Sequence, residues 1–261
     1  MADTPESTSI TRIAVEAFAG QCRRHLTPIT SAISAFEAVS LDAEQQRQFL
    51  REPAEAIPQS LLARLPPLRI ILVPYLEKGQ DEGTDFVAFQ KPPAQRLLNS
   101  STFDVHDEIF LFFGIEQQDV ADYHYWLYQA TAGLGSRALG EDEVSAFSTL
   151  VFDELSRGTR GEADELSLQL KLKLQRRQHM PGRTTKLMRE YILQAIQDTL
   201  TLYLHGLCCD IDVDPNPRQL GTPYLRRRLE LLSEIYPPNP GYLVFPAAPP
   251  PEPPPQESAE S

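Results

Sequence analysis

Residues 68–91 read LRIILVPYLEKGQDEGTDFVAFQK. The run Leu68–Val73 is apolar and rich in β-branched side chains, and it is bounded by Pro66-Pro67 before and Pro74 after. That composition and length predict a strand. The segment Lys78–Thr84 carries Gly79 and Gly83, and Asp85–Lys91 is a second short strand-like run. Two such runs joined by a glycine-bearing loop predict a hairpin, with Val73 and Phe89 turned into the core. Pro74 has no N–H to give to a ladder, so its part of the strand belongs at an edge or facing outward.

Outward from this stretch the periodicity is helical. A stripe of Ile10, Ile13, Ala14, Ala17 and Phe18 predicts a first helix, and Ile29, Ile33, Phe36 and Val39 a second one after Pro28. Residues 43–64 read as short helical pieces cut by Pro53 and Pro58. Asp119 is placed to cap a helix over 120–137, with Glu141–Ser156 and residues 183–205 giving two more. Gly206 is the expected stop of the longest one, and Pro223 opens a last helix over 222–235. Residues 166–174 alternate leucine with polar residues, which is strand periodicity. Leucine, glutamine and lysine are nonetheless helix formers with no β-branched residue among them, so we expect a helix here. Tyr242–Phe245 suggests one more strand, and Ile109–Phe113 is too short to assign. The expected fold is therefore α+β, predominantly α-helical, with a small antiparallel sheet built on the hairpin near 68–91.

The chain has 261 residues, with 24 Lys+Arg against 36 Asp+Glu and a formal net charge of −12. The apolar share of 41% supports a sizeable core. Residues 1–9 are expected to be flexible and residues 10–246 to form one mostly helical domain. The Pro/Glu-rich stretch 247–261 is expected to be an extended, disordered tail whose deletion leaves stability nearly unchanged. Its Pro250 and Pro253 have the spacing that proline-reading partners recognise, without the flanking basic residue they favour. The acidic balance argues against nucleic acid, which needs clustered Lys and Arg. No apolar run is long enough to span a membrane, and neither a secretory leader nor a lipid anchor is apparent. Three cysteines, Cys22, Cys208 and Cys209, are too few for a disulfide scaffold and fit a reduced, cytoplasmic setting.

Phosphate-cradling and dinucleotide glycine loops, the serine-hydrolase elbow and the zinc-protease helix motif are all missing from the sequence. Several weaker constellations remain. Glu190, Asp198 and His205 fall on or beside one stripe of the longest helix, where carboxylates and an imidazole could do acid–base work. His205, Cys208 and Asp210 bring metal-ligand types together, without the paired spacing of a zinc finger. The 210–216 loop has oxygen side chains at alternate positions, but Pro215 and Gly221 replace the glycine and glutamate that a calcium loop requires. The Asp104–Glu108 cluster, the Asp122–Tyr125 cluster and the Cys22/His25 pair read more simply as a turn, core packing and surface. Two functions follow as expectations. The first is an acidic, adaptor-like interaction or regulatory protein that has a protein partner. The second is a metal-dependent hydrolase centred on His205, Asp198 and Glu190, with His124 as a further candidate. No particular cofactor is implied.

Overall fold

The computed structural model describes residues 12–79, 83–105, 107–176, 185–209 and 219–244. Of these, 53% are helical and 19% are in strands. The strands are β1 (Arg12–Ala14), β2 (Thr27–Pro28), β3 (Ile33–Glu37), β4 (Leu68–Val73), β5 (Tyr75–Lys78), β6 (Asp85–Ala88), β7 (Leu97–Leu98), β8 (Ser100–Val105) and β9 (Glu108–Gly114). The helices are α1 (Val15–Cys22), α2 (Ala43–Gln46), α3 (Glu52–Ala56), α4 (Gln59–Leu62), α5 (Val120–Arg137), α6 (Glu141–Ser156), α7 (Glu165–Arg176), α8 (Lys186–Cys208) and α9 (Thr222–Ile235). A π-helical turn, Arg47–Arg51, joins α2 to α3.

The fold is mixed α+β with helix predominant, but the sheets are larger than a single hairpin would give. One sheet is mixed, in the order β2-β3-β4-β9-β8, and the other is antiparallel, in the order β1-β6-β5-β7. β4 lies between β3 and β9 and runs parallel to both. Only β5 and β6 form the expected hairpin. Pro74, which cannot join a ladder, marks the point where the chain leaves the first sheet and enters the second. At this crossing a Cβ on Gly114 would stand 3.0 Å from the Leu76 nitrogen, so a side chain there would crowd the backbone of β5.

The apolar run of β4 has two faces. Ile70 and Leu72 join Leu111 and Phe113 under the helices. Ile71 and Val73 join Phe110 and Phe112 against α1 and the second sheet. Strands buried on both faces read as continuous hydrophobic runs, which is why the short run Ile109–Phe113 could not be assigned from its pattern. It is the strand β9.

Several local expectations change. The stretch 29–39 holds strand β3 rather than a helix, because Thr30 closes a tight turn through its hydroxyl and Ile33–Glu37 then pair with β4. The first helix begins only at Val15, since Arg12–Ala14 pair with β6. Residues 242–244 form no strand. Phe89 lies just past β6 and is 40% exposed, whereas Val73 is buried as expected. Helices α5, α6 and α9 match their predicted spans closely, and the leucine-rich stretch is helix α7. Leu168, Leu170 and Leu174 are buried in it, but Leu166 and Leu172 are exposed, so its leucines are not covered on two sides. Helix α8 runs through Gly206 to Cys208.

Helices α5 and α8 pack closely where Gly135 removes a side chain. A Cβ there would come within 2.7 Å of Leu61 and 3.0 Å of Leu200. This close pairing sets the end of α8 beside the first turns of α5. Among the described residues, no helix is long and apolar enough to cross a membrane.

Candidate metal centre

Helix α5 starts at Asp119, whose carboxylate accepts from the Asp122 N–H at 2.8 Å. The cap fixes the helix phase and turns Tyr123, His124, Leu127 and Tyr128 inward. His124 is buried, and its Nε2 lies 2.8 Å from the Gln48 carbonyl oxygen. That carbonyl is free for a local reason. In the π-turn the Glu52 N–H goes to the Arg47 carbonyl, and Pro53 has no N–H to donate. A carbonyl only accepts, so Nε2 donates to it, and this bond turns Nδ1 to the opposite side.

On that side stand the two adjacent thiols that end α8. Cys208 is its last residue, and Cys209 is extended at φ −130° and ψ 147°. Nδ1 of His124 is 3.2 Å from Cys209 Sγ. Nδ1 and both sulfurs lie within 4.8 Å of one another. Hydrogen bonding, first of all from Cys209, outweighs burial and lowers the Cys208 thiol below its usual range. Burial pulls the His124 imidazole down, but its bonds to Cys208 and to the Gln48 carbonyl raise it overall. Both sulfurs are therefore within reach of the ring.

Two thiolates and an imidazole are soft ligands suited to zinc. Tetrahedral zinc spaces such donors by about 3.5–3.8 Å, so the widest edge here needs to close by only about 1 Å. The Gln48 carbonyl supplies the outer hydrogen bond that metal-bound histidines commonly make.

The residues singled out from the sequence separate. Cys208 belongs to this cluster. His205 stands one turn earlier on α8, half-buried, with its ring edge-on to Tyr128 at 6.0 Å. Burial, and then the nearby His124, lower its pKa. Asp210 and the 210–216 loop lie outside the described residues, as do His106 and the 247–261 stretch. Glu190 is exposed. Asp198 is buried, accepting from the Ser167 N–H at 3.1 Å and from Gln194 at 2.7 Å, so it caps the first turn of α7 from outside. Glu190 and His205 are fifteen positions apart on one helix, or about 22 Å, too far to act on one reacting group. Cys22 is buried, and that burial pushes its thiol up to about 12, a poor nucleophile.

The sequence had signalled His124 in a packed aromatic cluster and as a further candidate of a hydrolase site, but not beside a cysteine, because that partner is 85 positions away. A second polar cluster also escaped the sequence reading. Arg228, Glu154, Glu162 and Lys171 are buried together under α9. Arg228 donates to Glu154 at 3.0 Å and to Glu162 at 2.8 Å, and Lys171 donates to Glu162 at 3.0 Å. Tyr191 also donates to Glu162. Two cations face two anions with their hydrogen bonds satisfied, which is the arrangement of a structural network.

No protein-family model matches this chain, and neither a curated protein nor a solved structure matches it.

Proposed function

We propose that this chain is a metal-binding interaction or regulatory protein that holds one soft divalent cation of the zinc class. The ligands are His124 Nδ1, Cys208 Sγ and Cys209 Sγ. The observation that carries this reading is the orientation of His124. Its outer nitrogen is held by the Gln48 carbonyl, so its inner nitrogen faces two neighbouring thiols. The cation ties the start of α5 and the π-turn to the end of α8. A hydrolase is the weaker reading, because Glu190 is remote and Asp198 is occupied in capping α7. With a formal charge of −12, the partner in this proposal is a protein rather than nucleic acid, and the setting is cytoplasmic.

The test is zinc titration of reduced, metal-stripped protein against a chromophoric chelator. One equivalent should bind tightly, and His124→Gln, Cys208→Ser and Cys209→Ser should each weaken binding by at least about 100-fold. Wild-type protein that takes up no zinc in competition, or serine variants that bind as well as wild type, would overturn the proposal.

A further inference from the structure

Three protein ligands leave a tetrahedral ion one position short, and what fills it decides what the metal does. Water in that position makes a reactive site. A fourth side chain makes a closed, structural one.

The candidate fourth donor is already beside the cluster. His205 precedes Cys208 by three positions on α8, which places these two side chains on one face, about 5–6 Å apart at Cβ, and Cys209 follows at once as the extended residue that ends the helix. The helix runs without a break from Lys186 through Cys208, so this spacing is rigid. The ring is half-buried, and among the described residues its nitrogens have no hydrogen-bond partner. Tyr128 packs against both imidazoles, with ring centroids 6.2 Å from His124 and 6.0 Å from His205. Its hydroxyl donates to the Pro53 carbonyl at 3.2 Å, so Tyr128 itself is anchored. His205 stands outside the three-atom group in this structure and needs a change of side-chain rotamer to enter it.

We infer that His205 is the fourth ligand, so that His124, His205, Cys208 and Cys209 form a closed two-histidine, two-cysteine zinc site with no position left for water or substrate. This rests on the metal-binding reading above and sharpens it, because such a metal braces the helical layer and does no Lewis-acid chemistry. The neighbouring cysteines supply two corners from the end of α8. His205 supplies a third from one turn back, and His124 reaches in from α5 with the fourth.

Two substitutions test this in the full chain. His205→Phe keeps an aromatic ring against Tyr128 but offers no donor. His205→Cys replaces one soft donor by another. Zinc affinity is measured by chelator competition, and coordination by cobalt(II) absorption and by X-ray absorption at the zinc edge. The expected result is at least a 30-fold loss of zinc affinity in His205→Phe. His205→Cys should recover most of that loss, and its zinc should gain a third sulfur neighbour. A His205→Phe protein with wild-type zinc affinity and an unchanged cobalt spectrum would overturn the inference while leaving a three-ligand metal site standing. So would a His205→Cys protein whose zinc keeps two sulfurs. Wild-type protein that binds neither zinc nor cobalt would instead remove the metal-binding reading itself. If His205→Phe fails to fold, the sulfur count in His205→Cys decides alone.

Discussion

Replacing Arg228 by Met should be among the most damaging single changes this protein can suffer, and the damage should depend on pH. The guanidinium is fully buried and donates to both Glu154 and Glu162, and it lies 5.7 Å from the Phe147 ring centre. Methionine keeps the apolar stem but leaves two buried carboxylates facing Lys171 alone. Removing one partner from a buried ion pair costs about 3–5 kcal/mol, because a desolvated charge remains uncompensated. For a chain of this size that is a fall of about 6–20 °C in melting temperature. In the wild type, burial pushes Glu162 up, but Arg228 and Lys171 outweigh it and hold its carboxyl below the usual range. That contribution is complete above the unfolded carboxylate value, about 4.3, and is lost as pH falls through the lower folded value. In the variant, Lys171 alone faces two buried carboxylates, so burial favours the protonated form of one of them. Its penalty should therefore be full near neutral pH and shrink as pH falls toward 5, where the group takes up a proton. Urea unfolding at several pH values measures this gap directly. Adding Glu154→Gln leaves Lys171 paired with Glu162 and should recover about half of the loss. A single variant that loses less than about 1 kcal/mol, or a loss that neither pH nor the second substitution changes, would refute the charge argument and leave only packing.

Three further outcomes are expected. Phe89→Ala should cost under about 1.5 kcal/mol in denaturant unfolding, because a ring that is 40% exposed loses only part of the burial a core phenylalanine would. Asp198→Asn should change stability by less than about 1 kcal/mol in the same assay. Its oxygen still accepts from Ser167, and the neutral side chain relieves the burial that raises the Asp198 pKa and makes its ionisation unfavourable in the folded state. Iodoacetamide at pH 8 followed by peptide mass analysis should leave Cys22 unmodified in native protein and label it in urea, since burial holds that thiol protonated at about 12.

Where neighbours along the chain decide the structure, the sequence alone was sufficient. Asp119 and Pro223 mark helix starts, and the apolar spacing within α5, α6 and α9 puts the right faces inward, because capping and helical periodicity act over three or four residues. The strand character of Leu68–Val73 was legible for the same reason. Its partners were not: β4 pairs with β3 and β9 in parallel, and parallel pairing joins segments that are remote in sequence and leave no turn between them to read. Ile29–Val39 had helical spacing, yet pairing with β4 overrode it. The candidate site divides the same way. Cys208 and His205 share one helix end and could be picked out together, whereas the pairing of His124 with the cysteines emerged only when the close approach of α5 and α8 brought it within 3.2 Å of Cys209. The sequence reading passed over Arg228 and Lys171, because burying a cation is unfavourable until its carboxylate partners are in place, and only the folded chain sets Glu154 and Glu162 opposite them.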